Sequence, residues 1–498
     1  MTTEREESET GIQVVRMFER ETGFRDLQFK IQQRASGLLV VIFLASPTER
    51  HFAILNSVIA SLGDDAPRAT LQKRPDKGLL YGPEAKLLLQ TISEILTVNR
   101  HNFDENFASR YVRSMVGVED QIASVANHVI FGRRGSGKSS LLLYEMRRRA
   151  GTHRSSAWID MQGYSRREDN ATILSVLREI VTQGTPDYLD KHRASLFLER
   201  LNKTADEVSD KDLARLVPEA KNLFATSTGK DFAIFLDDFH VLGLMLQPRL
   251  LGFLYGFARG NRVSIKLSAV ETFTRLWDAK TKTGLQQPHD VQSIRLDYNL
   301  TMADKATEHI TGILDAHAQY CGLPSIRSLC TSADVLPRLV WVSAGVPRDA
   351  LYLFSIAMTK ASLRKQRFVT VQSVNVAASE VLSEKLSQRD IDSGADPDDE
   401  ILNRIKAFCI DRQKNNAFLV EIKSANADLD AVRKLADLRL LHVVSEGITR
   451  KEAGRKYMAL ILDYGFYVGI RAARSVELFN KDSAIAKYNE LRGLPVFA

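Results

Sequence analysis

Cysteine is nearly missing from this chain. Cys321, Cys330 and Cys409 are the three among 498 residues, which excludes a disulfide framework and makes a reducing cytoplasm the expected compartment. Long apolar runs are lacking too. The longest, residues 37–45, falls far short of a bilayer span and reads as a central strand, so no membrane association is expected. The opening MTTEREESET is polar and acidic, where a secretory leader would be basic and then apolar. No repeat of solenoid period and no low-complexity tract appears. The sequence holds no nucleophile elbow, glycosidase-like carboxylate pair, nuclease signature or paired Cys-x-x-Cys. His317 and Cys321, on one helix face, read as packing rather than zinc ligation.

What remains is an ordinary globular composition, 44% hydrophobic and 26% charged, in a chain long enough for about three domains. The net charge is +7. Residues 401–498 hold 17 Lys and Arg against 11 Asp and Glu, so the basic excess sits at the C-terminal end and hints at a polyanionic partner there.

The strongest local signal is Gly132-Arg133-Arg134-Gly135-Ser136-Gly137-Lys138-Ser139, a full match to G-x-x-x-x-G-K-[ST] after the short apolar run His128–Phe131. Gly132, Gly135 and Gly137 allow consecutive amides to converge on one anion, and a helix starting near Lys138, with Ser140 in its first turn, adds its dipole. Ser136 lies in the loop itself. Lys138 is expected to reach the β- and γ-phosphates of ATP, and Ser139 to enter the shell of a magnesium ion. About a hundred residues on, Phe232-Ala233-Ile234-Phe235-Leu236 ends in Asp237 and Asp238. Asp237 is expected to hold magnesium through water, and Asp238 to act as base or to orient water.

Apolar runs at 128–131, 157–160, 232–236, 263–267 and 291–296, separated by helical patterns, predict a parallel sheet covered on both faces. The fold class expected is α/β: a P-loop NTPase core with parallel sheet (101–300), a helical lid (301–392), a C-terminal winged-helix domain (396–498) and an extra N-terminal α/β domain (1–100). In that N-terminal domain, strands are expected at 38–45 and 79–81, and helices at 48–62 and 84–98. The basic end of the P-loop helix, Arg147-Arg148-Arg149, reads as a solvated last turn complementing the dipole. Ser268, at the end of the fourth strand, is the expected polar group beside the γ-phosphate, with Thr272 next. Arg348, in Gly345-Val346-Pro347-Arg348, is the arginine that a folded-over lid would bring to the phosphates. In the C-terminal region, helices at 401–411 and 428–437 precede strands at 440–444 and 457–462. Arg450, Lys451, Arg455 and Lys456 form a basic hairpin tip suited to phosphates of double-stranded DNA.

With these motifs the chain resembles the AAA+ and related STAND group of P-loop ATPases, most like the origin-recognition initiator branch. Residues 111–122 are similar to the F-V-G-R-E-x-x-[LI] segment that contacts adenine in these groups, which assigns Val116 and Gly117 to the base; Val118 stands where the family has arginine. The resemblance implies a chain that closes around ATP and opens on hydrolysis or exchange. It also implies homo-oligomers in which an arginine completes a neighbour's site, with Arg275, Arg259 and Arg262 as candidates. The expected function is an ATP-hydrolysing, DNA-binding switch built like a replication initiator. The alternative is a STAND-type signalling switch, for instance in prokaryotic anti-phage defence, with slow turnover and the winged helix serving as a clamp or as the site for a partner protein. The Asp-Asp pair, more usual in that branch, favours it. A regulator of DNA transposition is a third possibility.

Overall fold

Every residue of Phe232–Asp237 is buried. A strand apolar on both faces needs cover on both, and that need organises the middle of the chain. The computed structural model describes residues 2–497 apart from 35–36, 64–65, 75–77, 115–116, 153, 204–207, 226–229, 297–299, 301–302, 393–396, 423–426, 451–453 and 469–487. In chain order the strands are β1 (Gln28–Arg34), β2 (Gly37–Leu44), β3 (Arg68–Lys73), β4 (His128–Phe131), β5 (Ser155–Asp160), β6 (Phe232–Asp237) and β7 (Val263–Ala269). They continue with β8 (Trp277–Asp278), β9 (Thr283–Gly284), β10 (Gln292–Arg295), β11 (Ala417–Glu421), β12 (Leu441–Thr449), β13 (Lys456–Leu462) and β14 (Val496–Phe497). The chain divides into two units, residues 98–297 and residues 1–97 with 298–498.

In the first of these, β10-β4-β7-β6-β5 form a parallel sheet, the α/β core expected. The helices Lys138–Gly151, Asp169–Gly184 and Leu246–Ala258 pack on it, and Asp210–Phe224 packs on Leu246–Ala258. Fully buried Phe232, Ile234, Phe235 and Leu236 contribute roughly 1.5–3 kcal/mol each. Register brings Phe131 opposite Ala269 and Asp160 opposite Asp237, so the carboxyl ends of four strands collect one set of polar groups.

Away from the P-loop, Arg149 and Lys266 are inside rather than out. Arg149, expected in a solvated turn, is buried: its Nη2 donates to the carbonyls of Asp231 (3.1 Å) and Ser155 (3.3 Å) and pairs with the Asp231 carboxylate (3.5 Å). Buried backbone at the starts of β5 and β6 needs donors, and the helix end supplies one. Lys266, in the centre of β7, is fully buried. Its Nζ donates to the carbonyls of Ser124 (2.6 Å) and Ala126 (2.5 Å) and lies 3.0 Å from His128 Nδ1. Burial and the nearby Arg149 lower its pKa to about 7.

Lys266→Met is therefore expected to destabilise this unit by about 2–4 kcal/mol, because two carbonyls lose their donor. In the unfolded chain Lys266 holds its proton up to about pH 10.5, but in the fold only up to about 7. Stability of the parent accordingly rises with pH between those values. Chemical denaturation at pH 7 and 9 checks both: the pH-dependent gain should shrink in the variant.

In the other unit, β2 pairs antiparallel with β1 and parallel with β3. The strand expected at 79–81 is instead a 3-10 turn entered through left-handed Gly78, and the third strand is Arg68–Lys73, whose single buried residue, Leu71, gives it little apolar signature. This layer packs on the helical segment that follows residue 302. The Arg50 guanidinium lies 3.9 Å from the Tyr320 ring centroid and donates to its hydroxyl, Ser46 N–H donates to Gly322 O, and Tyr81 OH donates to Gln366 O. The last segment runs helix (Pro397–Lys406), β11, helix (Ala427–Asp437) and the β12–β13 hairpin, with β14 added parallel to β11 in the order β12-β13-β11-β14. Helix Pro347–Leu363 is tied to it by an Asp349–Arg439 ion pair.

Candidate nucleotide site

β4 delivers the chain to Gly132, where a Cβ would meet Ser136 Oγ at 2.5 Å and Leu296 O at 3.1 Å, so any larger residue would have to displace Ser136 and crowd the Leu296 carbonyl. Gly137, at φ +95°, makes the left-handed turn into helix Lys138–Gly151. The loop places Ser136 Oγ in a buried position with no protein hydrogen-bond partner. Lys138 is buried, its Nζ donating to Gly132 O (2.8 Å) and Arg133 O (3.0 Å). Ser139 and Ser140 occupy the first turn beside it.

The acidic strand end meets this loop directly. Ser139 Oγ donates to Asp237 Oδ1 at 3.0 Å, and Ser268 Oγ donates to the same oxygen at 2.5 Å. Burial, then the charge of Asp238, raises the Asp237 pKa to about 6 against the pull of both hydroxyls. Asp238 adopts a left-handed conformation (φ +51°); its N–H donates to Ser268 Oγ (2.9 Å) and its Oδ2 accepts from Gln162 Nε2 (2.6 Å). Ser268, expected beside the γ-phosphate, thus fixes both acids through a fully buried hydroxyl.

Three groups were missed from sequence. Gln162 holds Asp238, and its own N–H donates to Asp160 Oδ1 (3.0 Å). His240 is buried nearby and lowered to about 4 by burial, with Asp238 acting in the opposite sense. Asp160 alone left a legible signal, since its strand ends in an acid just as Asp237's does.

Gly117 is left-handed (φ +67°) at the start of the short helix Val118–Ile122; Val116 lies outside the described residues. This segment is anchored on the P-loop helix: Tyr111 stacks on Tyr144 at 4.3 Å, and the Glu119 carboxylate accepts from Ser114 N–H and Tyr111 OH. Arg275 is paired with Asp278 (2.7 Å). Arg262, paired with Asp231 (3.5 Å), and Arg259, over the Tyr255 ring, precede β7 and so lie at the amino end of the sheet, opposite the P-loop. Arg348 belongs to the other unit, as the second residue of Pro347–Leu363. Arg450 and Lys456 are exposed at the ends of the β12–β13 hairpin, Arg455 lies 3.7 Å from Glu421, and Lys451 is outside the described residues.

No protein-family model and no curated protein matches the chain. Among solved structures it is similar to the Aeropyrum pernix ORC1 protein in complex with DNA, at 14% identity over 73% of this chain and 93% of that one, TM-score 0.39. The Walker-type ATPase paby2304 of Pyrococcus abyssi is similar at 14% identity over 75% and 95%, TM-score 0.40. Drosophila ORC bound to DNA is similar at 14% identity over 84% and 99%, TM-score 0.36. What the site can do is decided by its own side chains. Among the described residues no cluster of three or more His, Cys, Asp and Glu is arranged to hold a metal by itself. A single hydroxyl and a single carboxylate suit magnesium that arrives with phosphate oxygens and keeps its waters.

Proposed function

We propose that the chain is an ATP- and magnesium-dependent switch that hydrolyses ATP slowly and engages double-stranded DNA according to its nucleotide state. The observation that carries the nucleotide reading is the junction of Ser139 and Asp237 beneath a loop holding an unpartnered serine hydroxyl and a buried lysine. Gly132, Gly135, Ser136, Gly137 and Ser140 would surround the phosphates, Lys138 would bind their charge, and Ser139 and Asp237 would hold the metal. Magnesium would neutralise the developing charge on the phosphates. Titration with a fluorescent ATP analogue, with magnesium and with chelator, tests this: magnesium-dependent saturable binding supports it, and no binding in either condition overturns it.

Asp237 must be ionised to serve the metal, and its pKa is raised to about 6. Affinity for magnesium–ATP is therefore expected to fall about tenfold between pH 7 and 5 as a proton competes for the carboxylate. In Asp237→Asn this dependence should flatten around a weaker value.

The hairpin reading has its own measurement. Arg450→Ala, Arg455→Ala and Lys456→Ala together are expected to weaken binding to duplexes of any sequence and to reduce the salt slope by up to about 0.9 per lost contact. An unchanged affinity and slope would remove the hairpin from the interface.

The signalling-switch reading is favoured by one contact. Asp349, next to Arg348, pairs with Arg439 at the turn before β12, a contact through which a movement at the start of this helix would reach the C-terminal segment. Binding of a partner protein, and a trans-acting arginine from a second copy, belong to the same proposal.

A further inference from the structure

Residues 1–97 carry no catalytic signature, yet the charge on their sheet is one-sided. Strands β1, β2 and β3 hold four Lys and Arg and no Asp or Glu, whereas the helix Thr2–Thr22 holds six Glu against three Arg. Register sorts the strand side chains by face, because paired residues point the same way. One face carries Ile31, Val40, Ile42 and Leu71. The glutamate-bearing helix packs on this face, so closely that a Cβ on Gly11 would meet Ile31 Cδ1 at 2.9 Å.

The other face reads, row by row, Gln28–Phe43–Gln72, Lys30–Val41–Thr70 and Gln32–Leu39–Arg68, with Arg34 beyond. Gln28, Lys30, Gln32, Arg34, Arg68 and Gln72 are all exposed. Lys30 lies 5.8 Å from the Phe43 ring centroid, and Arg34 donates to Gln32. Lys30 and Arg34 stand about 13 Å apart along β1, and Arg68 is two strands, roughly 10 Å, from Gln32. At the far end the face runs into a cleft of about 390 Å³ lined by Arg25, Asp26, Gln28, Arg74, Tyr81 and Lys86. Two carboxylates meet cations there: Asp26 pairs with Lys86 (3.3 Å) and buried Glu84 with Arg74 (2.5 Å).

We infer that this sheet face is a second nucleic-acid surface, and that it takes the phosphate backbone of duplex DNA. Cations of one sign spread over roughly 13 Å match several consecutive phosphates at 3.4 Å of rise each. Amides between them can hydrogen-bond sugar and phosphate oxygens without reading sequence. Single strands are bound by stacking on exposed aromatics, and here the face's aromatic, Phe43, is half-buried under Lys30. Charge on edge strands, lysine in particular, also discourages unwanted pairing, but that role needs no nucleic acid and predicts unchanged duplex binding when the charges are removed. The inference stands apart from the hairpin reading and shares with it only the partner.

The test measures anisotropy of a labelled random-sequence duplex, and of one of its single strands, across a salt series with the full chain. The parent is compared with Lys30→Ala/Arg34→Ala/Arg68→Ala, with the charge-conserving Lys30→Arg/Arg34→Lys/Arg68→Lys, and with the hairpin variant. The alanine variant is expected to lose at least about tenfold in duplex affinity and up to about 2.7 in salt slope. The charge-conserving chain should keep most of both. Unchanged duplex binding in the alanine variant overturns the inference, as does equal loss in the charge-conserving one, which would signal a structural role. Tighter binding of the single strand, lost in the alanine variant, overturns the assignment to duplex. Loss in the hairpin variant alone overturns the sheet face and leaves the hairpin reading standing.

Discussion

Asp238→Asn is expected to bind magnesium–ATP as tightly as the parent and to hydrolyse it at least about 100-fold more slowly, the range for losing a general base. Asparagine keeps the size of the side chain and an oxygen for Gln162, so the site's shape should survive. What disappears is the charge able to accept a proton from attacking water. The backbone here is already committed: Asp238 sits at φ +51° with its N–H held by Ser268 Oγ, which leaves side-chain rotation as its freedom. Gln162 controls that rotation through the 2.6 Å bond to Oδ2. If Gln162 restrains the carboxylate, Gln162→Ala should raise single-turnover phosphate release about tenfold, and Gln162→Ala/Asp238→Asn should be no faster than Asp238→Asn alone. Slower release in Gln162→Ala would make the amide a group that aims the base instead. Equal turnover in Asp238→Asn and the parent would remove Asp238 from the chemistry.

These contacts mark where the sequence is legible and where it is not. The P-loop can be read because the chemistry fixes four positions within eight consecutive residues, and loop, strand and helix follow from local spacing. Asp237 can be read because an apolar run ending in acids is also local. Gln162 cannot: it reaches Asp238 across 76 positions only because β5 and β6 pair in a register that aligns Asp160 with Asp237. Strand order is a tertiary fact, and periodicity carries none of it. Arg149 and Lys266 show the same limit from the other side. Their residue type predicts solvent, and what draws them inside is carbonyls supplied by β5, β6 and the turn before β4. In the first hundred residues, β1 and β3 were missed because edge strands bury little and so lack an apolar pattern. The packing of Arg50 on Tyr320, 270 positions away, leaves no trace in either segment's own sequence.

Lys138→Ala is expected to weaken both ATP and ADP by at least about 100-fold. The ammonium is buried and held by Gly132 O and Arg133 O, where phosphates would meet a concentrated, weakly screened charge; losing such a charge-assisted contact in a buried site costs several kcal/mol. Lys138→Arg should not rescue it, since a planar guanidinium cannot replace a compact ammonium against two converging carbonyls. Thermal shift separates a binding defect from a folding defect. At a nucleotide concentration 100 times the parent's Kd, binding stabilises the parent by about 2.7 kcal/mol and a 100-fold weaker variant by only about 0.4 kcal/mol. For a unit of about 200 residues the parent should gain roughly 5–10 °C and the variant about 1 °C. Comparable ligand-induced gains in the two would show that the loop does not hold phosphate through Lys138, and with that the nucleotide reading of the junction between Ser139 and Asp237 would lose its principal cation.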